Sequence, residues 1–456
     1  MNGAVRLPLE TPELEILASG STRVRRTLLP NGARILSEQV PGAQSATVGF
    51  WVAVGSRDEE PVTYGATHFL EHLLFKGTPT RSALDIAVAF DSVGGEHNAL
   101  TAKEHTCYYA KVRDVDVPMA IDVLADMFTS SILESDEFES ERGVILEELA
   151  MADDDPGDVV GERIFEAVFG DHPLGRPIGG NPASIGAVSR DAVWAHYQKN
   201  YRPQDLVVTV AGAVDHDELV TATIAALDRA GWPSDAPASP VPRRSDVAHP
   251  AAPLDPGVGG VSRLVIRPLE QVNVMLGVPG ISAVDARRPA LAILNSVLGG
   301  GMSSRLFQEI REERGLAYSV YSFSSGYSDG GLFGLYAGCS PARAGEVAEL
   351  MLAEFRKLAE TGISEEELGR ARGQLGGASA LALEDSDARM SRLGRSELTL
   401  GEFADLDETL VRLGAVTRDE VRELAAELIA GPLSIAAVGA VQPDTFTKLD
   451  VEPTAA

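Results

Sequence analysis

The sequence predicts an α+β fold made of two homologous domains that arose by duplication. Each is expected to hold a mostly antiparallel sheet with helices packed on one face. Three observations support this. The chain has 456 residues, which is too long for one ordinary core. A stretch rich in Pro, Ala and Gly divides it near the middle, and the same order of strands and helices occurs on both sides of that stretch.

The dividing stretch runs from Trp232 to Gly260 and has neither a helical nor a strand period. Before it, the strand in "CYYAKV" leads to a helix and then to a second helix with an acidic cap at Ser135; after it, "LYAGCS" leads through the same order to Ser364. The closing strands "LVVTVAGAV" and "LSIAAVGAV" also match. We expect an N-terminal extension at 1–23, a first domain at 24–232, a linker at 233–260, a second homologous domain at 261–442 and a C-terminal tail at 443–456.

Composition indicates a soluble globular protein, with 44% hydrophobic and 23% charged residues. No run approaches the ~20 apolar residues needed to cross a bilayer. The N-terminal stretch carries acidic residues and has no basic segment before an apolar one, so we expect a cytoplasmic protein. Cys107 and Cys339 lie too far apart to indicate a disulfide framework or a thiolate zinc site, and are expected to be buried small hydrophobes.

The formal net charge of −28 makes nucleic-acid binding improbable, because such binding depends on Lys and Arg neutralising phosphates. Positively charged ligands would be favoured instead. The alternative is that the acidity only keeps the protein soluble.

The strongest motif is "THFLEHLLFKGT", which contains His68, Glu71 and His72. In a helix these positions fall on one face. Two imidazoles one turn apart can share a zinc ion, and an adjacent carboxylate can deprotonate a water at the site. The alternative is that two histidines merely share a helix, since the pattern arises by chance in roughly one such sequence in a hundred.

A hydrolytic zinc site needs a third protein ligand. The helix "EFESERGVILEELAM" is its expected source, because Glu141 and Glu148 lie two turns apart on one face. Taken alone, Glu148 would be read as a solvated helix glutamate. His97 and His105 are weaker candidates, since neither shares the helix of His68.

H-x-x-E-H is the inverzincin signature, and here a glutamate follows its second histidine by 76 residues. With these motifs the chain resembles the pitrilysin and insulinase family of zinc peptidases, and more closely its two-domain branch that includes the mitochondrial processing peptidase, from about Val24 to Val441. The resemblance implies that His68, His72 and Glu148 bind Zn²⁺, that Glu71 activates the water and that Glu141 supports the site from behind. The first domain would then be the catalytic, zinc-binding one.

The second domain offers a comparison, because all eight histidines lie at or before His249. At the place equivalent to the His68 helix it has Asn295 and Ser296, and near the counterpart of Glu148 it has Ala378. We therefore expect the second domain to keep the scaffold without a metal site.

Further residues are assigned by the resemblance. The segment Asn98-Ala99-Leu100-Thr101 matches an exposed edge strand that pairs with the substrate backbone, although by itself it reads equally well as an ordinary strand after a glycine turn. Arg311 and Tyr318 match a pair that completes the active site, with the phenol stabilising the oxyanion and the guanidinium contacting substrate. Standing alone they read as a surface charge and a core residue.

The same branch implies a homodimer enclosing a chamber, in which Arg311 and Tyr318 serve the partner's zinc site. Such a chamber would admit unfolded peptides and, being acidic, favour basic, presequence-like ones. The predicted function is a zinc-dependent, processing-peptidase-like endopeptidase. The main alternative is a noncatalytic scaffold or peptide-binding subunit of the same fold; a purely structural zinc site would need a fourth protein ligand, which the sequence does not supply.

Overall fold

The computed structural model describes residues 3–246, 258–442, 444–449 and 451–453. Part of the expected linker, at 247–257, and positions 443, 450 and 454–456 of the expected tail lie outside the described residues. Contacts divide the chain into two compact units. Unit 1 holds the described residues of Met1–Leu149, Pro177–Ala248 and Ala380–Glu408, and unit 2 those of Ala150–Arg176, His249–Ser379 and Thr409–Ala456.

In the part of the chain that the structure describes, the strands are β1 (Val5–Arg6), β2 (Glu13–Leu17), β3 (Arg23–Leu28), β4 (Arg34–Gln39), β5 (Ser45–Val52), β6 (Glu96–Thr101), β7 (Thr106–Arg113), β8 (Val207–Gly212), β9 (Val261–Ile266), β10 (Val272–Gly280), β11 (Ala317–Gly326), β12 (Gly331–Cys339), β13 (Glu402–Phe403), β14 (Ser434–Gly439) and β15 (Glu452–Pro453).

The α-helices of the same residues are α1 (Ala66–Leu74), α2 (Ala83–Asp91), α3 (Val117–Ser130), α4 (Ser135–Asp154), α5 (Pro156–Phe169), α6 (Pro182–Ala187), α7 (Arg190–Asn200), α8 (His216–Arg229), α9 (Arg288–Gly299), α10 (Ala344–Thr361), α11 (Glu365–Ala382), α12 (Ser386–Arg395), α13 (Leu406–Ala415) and α14 (Arg418–Ile429).

The sheet of unit 1 has the strand order β2-β3-β4-β8-β5-β7-β6. Its neighbouring strands are antiparallel except for β4 and β8. The sheet of unit 2 has the order β11-β12-β10-β14-β9-β15, with β9 parallel to both of its neighbours. Two units with mixed, mainly antiparallel sheets confirm the predicted α+β fold class.

The main core of each unit lies between one face of its sheet and a layer of helices. In unit 1, Val48, Phe50 and Tyr108 of the central strands pack with buried side chains of α1, α3 and α7. In unit 2, Leu276 and Leu335 pack with α9, α10 and α14. Strand side chains alternate between the two faces of a sheet, so the strand residues between these point to the opposite face.

That opposite face is covered by a single helix from the other half of the sequence, which the sequence does not reveal. In unit 1, Met390 and Leu393 of α12 pack on Trp51, and the buried Glu38 carboxylate accepts hydrogen bonds from Arg392 at 2.9 Å. In unit 2, α5 packs on the sheet over Met275, Ala436 and Val438.

Two strand glycines make these helix approaches possible. A Cβ added at Gly49 would lie 2.4 Å from Met390 Sδ, and one at Gly277 would lie 2.9 Å from Ile164 of α5. Both separations are shorter than a van der Waals contact. The compact units are therefore built from discontinuous segments, whereas the sequence division used contiguous ranges. Residues 1–23, expected to be an extension, contribute β1 and β2, and β2 is the edge strand of the sheet next to β3.

The helix caps agree with the sequence in one half only. Ser364 forms the expected capping box with Glu367, since its hydroxyl accepts from the Glu367 amide at 3.1 Å and its own amide donates to that carboxylate at 2.7 Å. The prediction for Ser135 is wrong. The carboxylate of Glu134 caps α4 instead, accepting from the Asp136 amide at 2.7 Å. A carboxylate is favoured there because the helix N-terminus carries partial positive charge.

Candidate metal centre

The helix that carries the H-x-x-E-H motif is α1, and its first turn is fixed by a buried carboxylate. Gly65 precedes it with φ of 86°, a conformation that favours glycine. Glu59 accepts hydrogen bonds from the amides of Gly65 at 2.9 Å and Thr67 at 2.7 Å, so two of the unpaired amides at the helix start have a partner. Burial raises the pKa of Glu59 to about 7.

The apolar side of α1 faces the core of unit 1. Phe69, Leu70, Leu73 and Leu74 are completely buried. Phe69 also stacks on Phe138 of α4, with ring centroids 4.4 Å apart. This contact brings α1 and α4 together, so the polar side of α1 faces the glutamates of α4.

His68, His72 and Glu148 meet on that side. One ligand atom from each lies within 4.8 Å of the others, which makes them a potential metal-binding group among the described residues. The Glu148 Oε2 atom is 3.4 Å from His72 Nε2 and 3.9 Å from His68 Nε2. The three residues that the sequence singled out as ligands therefore converge, although their roles stay a prediction.

Glu141 lies behind His72. Its Oε2 atom is 3.0 Å from His72 Nδ1, and its Oε1 atom is 2.6 Å from Lys76 Nζ. The carboxylate is 4% exposed. A histidine ligand commonly donates its second N–H to a carboxylate, which fixes its orientation and leaves the other nitrogen for the metal. By contrast, His68 Nδ1 is buried and has no hydrogen-bond partner among the described residues.

This donor set fits a zinc ion. Two imidazole nitrogens and one carboxylate oxygen are the protein ligands of many hydrolytic zinc sites, which leave a fourth position open. Burial, followed by the proximity of His72, lowers the pKa of His68 to about 4, so its imidazole is neutral and can ligate near neutral pH. A closed structural site would need a fourth ligand, and the group contains three among the described residues.

Glu71 stands beside this group on α1. Burial raises the pKa of its carboxyl, while a hydrogen bond donated by the Thr101 hydroxyl to Glu71 Oε2 acts in the opposite direction. Thr101 belongs to β6, so the strand holds the carboxylate in place. The sequence had assigned Thr101 only to substrate binding.

The strand β6 is an edge strand of the unit 1 sheet and pairs with β7 alone among the described strands. Asn98 and Leu100 are exposed, whereas Ala99 and Thr101 point to the other face. The edge position agrees with the sequence, and binding of substrate there stays a prediction. His97 stacks on Phe90 at 4.4 Å and His105 lies 5.6 Å from the Trp51 ring; neither belongs to the metal-binding group found in the described residues.

Arg311 and Tyr318 lie in unit 2. Tyr318 is 77% exposed at the start of β11, and the Arg311 guanidinium is 4.7 Å from the centre of its ring. The sequence spacing therefore does bring these two residues together. In the same unit, Ser296 donates a hydrogen bond to Gln374 at 2.8 Å, and the described residues include no second metal-binding group.

Sequence reasoning missed two residues that support the site, Lys76 and Glu59. The only signal for Lys76 is its closeness to His72, four residues before it, because α1 ends at Leu74 and Lys76 lies in the turn that follows. Glu59 gives no local signal, because it reaches α1 from the preceding loop.

A duplicated α+β fold with an inverted H-x-x-E-H helix and a glutamate from a second helix defines a zinc-peptidase type of protein. Residues 34–181 match the family described as Insulinase (Peptidase family M16), and residues 187–375 match the Peptidase M16 inactive domain. The chain belongs to the insulinase family, peptidase family M16.

Curated relatives agree with this assignment, and two solved structures share the fold. The chain is 48% identical to an uncharacterized zinc protease of Streptomyces coelicolor, covering 94% of this chain and 92% of the relative. It is 37% identical to an uncharacterized zinc protease of Bacillus subtilis, covering 91% and 98%. A protease from Helicobacter pylori shares the fold with a TM-score of 0.82 at 22% identity, covering 93% of this chain and 100% of that one. A peptidase M16 inactive domain from Pseudomonas fluorescens gives 0.80 at 18%, covering 92% and 100%.

Among the described residues, no helix combines the length and apolar character needed to span a membrane. The cellular compartment stays a prediction.

Proposed function

We propose that this protein is a zinc-dependent endopeptidase, processing-peptidase-like in its preference for unfolded or presequence-like peptides. The observation that carries the proposal is the convergence of His68, His72 and Glu148 within 4.8 Å, with Glu71 on α1, the helix that carries both histidines. A metal-binding group without an adjacent base would fit binding alone. A base at this position fits hydrolysis.

A zinc ion held by the three ligands would polarise the scissile carbonyl and acidify a water molecule. Glu71 takes the proton from the attacking water and delivers it to the leaving amine. Its raised pKa supports both tasks, because a carboxyl that titrates nearer neutrality is a stronger base and can also return the proton. The Thr101 hydroxyl donates a hydrogen bond to this carboxylate and so restricts its position on α1.

Substrate would be held along β6. An extended peptide can add a strand to an open sheet edge through main-chain hydrogen bonds, which requires an unfolded segment and imposes little sequence preference. The edge position of β6 and its link to Glu71 through Thr101 support this role.

The proposal is tested with Glu71→Gln. We expect the variant to keep its zinc, measured by mass spectrometry of the metal, and to lose roughly a hundredfold to ten-thousandfold in turnover of a basic, internally quenched peptide. Glu137→Gln, a partly exposed position in the first turn of α4, is the matched control and should behave as wild type. Failure of the zinc-loaded wild type to cleave a broad peptide library would favour the noncatalytic, peptide-binding alternative.

We also propose a homodimer in which Arg311 and Tyr318 complete the partner's site. The exposed phenol next to a guanidinium supports this role, since both can donate to a developing oxyanion. Mixing Glu71→Gln with Tyr318→Phe distinguishes the arrangements. If each site uses two protomers, random exchange restores about a quarter of the wild-type sites. If each site uses one chain, the mixture stays as inactive as its components.

A further inference from the structure

A second concave site lies in unit 1, away from the metal centre. It is a cleft of about 880 Å³, which falls in the size range of ligand pockets. Its floor contains Val117, Ile121, Val214 and Leu219, all less than 10% exposed. None of the metal-binding residues, Glu71 or the β6 segment lines it.

The rim of the cleft is acidic. It carries three carboxylates and one basic side chain, namely Asp114, Asp215, Glu218 and Arg23. Arg23 lies 3.4 Å from Glu15. No ion pair connects any of the three rim carboxylates to a basic group among the described residues. An apolar floor under unpaired negative charge is complementary to a ligand that is both apolar and cationic.

The cleft and the metal centre lie at opposite ends of the same strands. The cleft is lined by Ala43, just before β5 begins at Ser45, and by Asp114, just after β7 ends. The other end of β5, Val52, pairs with Thr106, which pairs with Thr101 next to Glu71. The seven residue steps of β5 span about 23 Å at the usual rise of a strand. An extended chain needs at least about seven residues to cover that distance.

We propose that this cleft binds a distal segment of the peptide substrate, one with apolar residues and at least one basic residue, seven or more residues from the cleaved bond. The inference rests on the proposed peptidase function. The charge argues for this occupant over others. A second copy of a chain with net charge −28, or an anionic lipid surface, would bring like charges to the acidic rim.

The test uses full-length, zinc-loaded Glu71→Gln, so that peptides bind without being cleaved. Fluorescence anisotropy measures the Kd of a basic amphipathic peptide of about 20 residues and of a truncated version of about five residues, too short to span both sites. One pocket variant, Asp114→Asn with Glu218→Gln, removes two rim charges. The other, Ala43→Trp, obstructs the cleft. The control, Glu10→Gln with Asp235→Asn, removes two exposed charges outside the cleft.

We expect the charge variant to weaken the long peptide about three- to tenfold at low salt, an effect that shrinks in 0.5 M salt. Ala43→Trp should weaken it at both salt concentrations, while the short peptide and the control stay unchanged. Unchanged binding of the long peptide to both pocket variants would overturn the inference. A change in the oligomeric state of the pocket variants without a change in peptide binding would also overturn it, because a second copy of the chain would then be the occupant.

Cleavage by the wild type separates the two proposals. If the wild type cleaves peptides but neither length nor the pocket variants affect binding, the cleft inference fails and the peptidase stands. If the wild type cleaves nothing while the pocket variants still weaken the long peptide, the peptidase proposal fails and the binding cleft is supported.

Discussion

The hydrogen bond between Glu141 and His72 gives the sharpest prediction about the metal centre. Glu141→Gln keeps the shape of the side chain but removes its charge. The buried carboxylate contacts His72 Nδ1 at 3.0 Å and Lys76 Nζ at 2.6 Å, so the variant weakens the hydrogen bond that orients His72 and leaves the Lys76 ammonium without its charge partner.

The expected size follows from these contacts. A hydrogen bond to a charged group contributes about 1.5–3 kcal/mol. Loss of such an outer partner commonly weakens metal affinity by about 10- to 100-fold, which corresponds to about 1.4–2.7 kcal/mol. The two ranges agree. His68 has no equivalent partner on its buried Nδ1, so we expect the effect to come through His72 alone.

The assay is a competition titration of zinc against a chromophoric chelator, with the partly exposed Glu137→Gln as the control on the same helix. We expect Glu141→Gln to lower zinc affinity by at least tenfold and the control to leave it unchanged. A zinc affinity of Glu141→Gln within twofold of wild type would refute the orienting role of this carboxylate.

Two further predictions concern stability. Glu397 is completely buried, with Arg243 Nη2 at 3.0 Å and Arg26 and Arg34 at 3.4 and 3.5 Å. Glu397→Gln should lower the free energy of unfolding by at least about 3–5 kcal/mol, because it leaves the buried guanidiniums without a negatively charged partner. Arg34→Met should cost far less, since burial and the neighbouring guanidiniums already lower the pKa of Arg34; urea denaturation that ranked the two variants the other way would contradict this reasoning. Burial lowers the pKa of His196 to about 4, below its unfolded value of 6.5, so its contribution to stability is present above pH 6.5 and is lost as pH falls toward 4. From pH 7.5 to 5.0, the metal-free wild type should lose about 2 kcal/mol more than His196→Gln, and equal losses would show that His196 does not titrate in this window.

Local sequence patterns were sufficient for the H-x-x-E-H part of the candidate site. His68, Glu71 and His72 lie within five residues on one helix, so the helix period alone places them together. Glu148 comes from a second helix; its position on one face with Glu141 made it a candidate, and the family resemblance assigned it as the third ligand. The duplication was also readable, because each half repeats its strands and helices in the same order.

The sequence by itself thus determined the fold class, the repeat and the placing of His68, Glu71 and His72 on one helix face, since these depend on periodicity and on residues near one another in the chain. The tertiary structure decided which helix covers the second face of each sheet, that Glu59 and Lys76 support α1 and α4, and that Thr101 holds Glu71. It also formed the acidic cleft from the ends of several strands and helices. These features depend on contacts between residues that are distant in the chain, and local sequence patterns do not show which distant side chain makes a given contact.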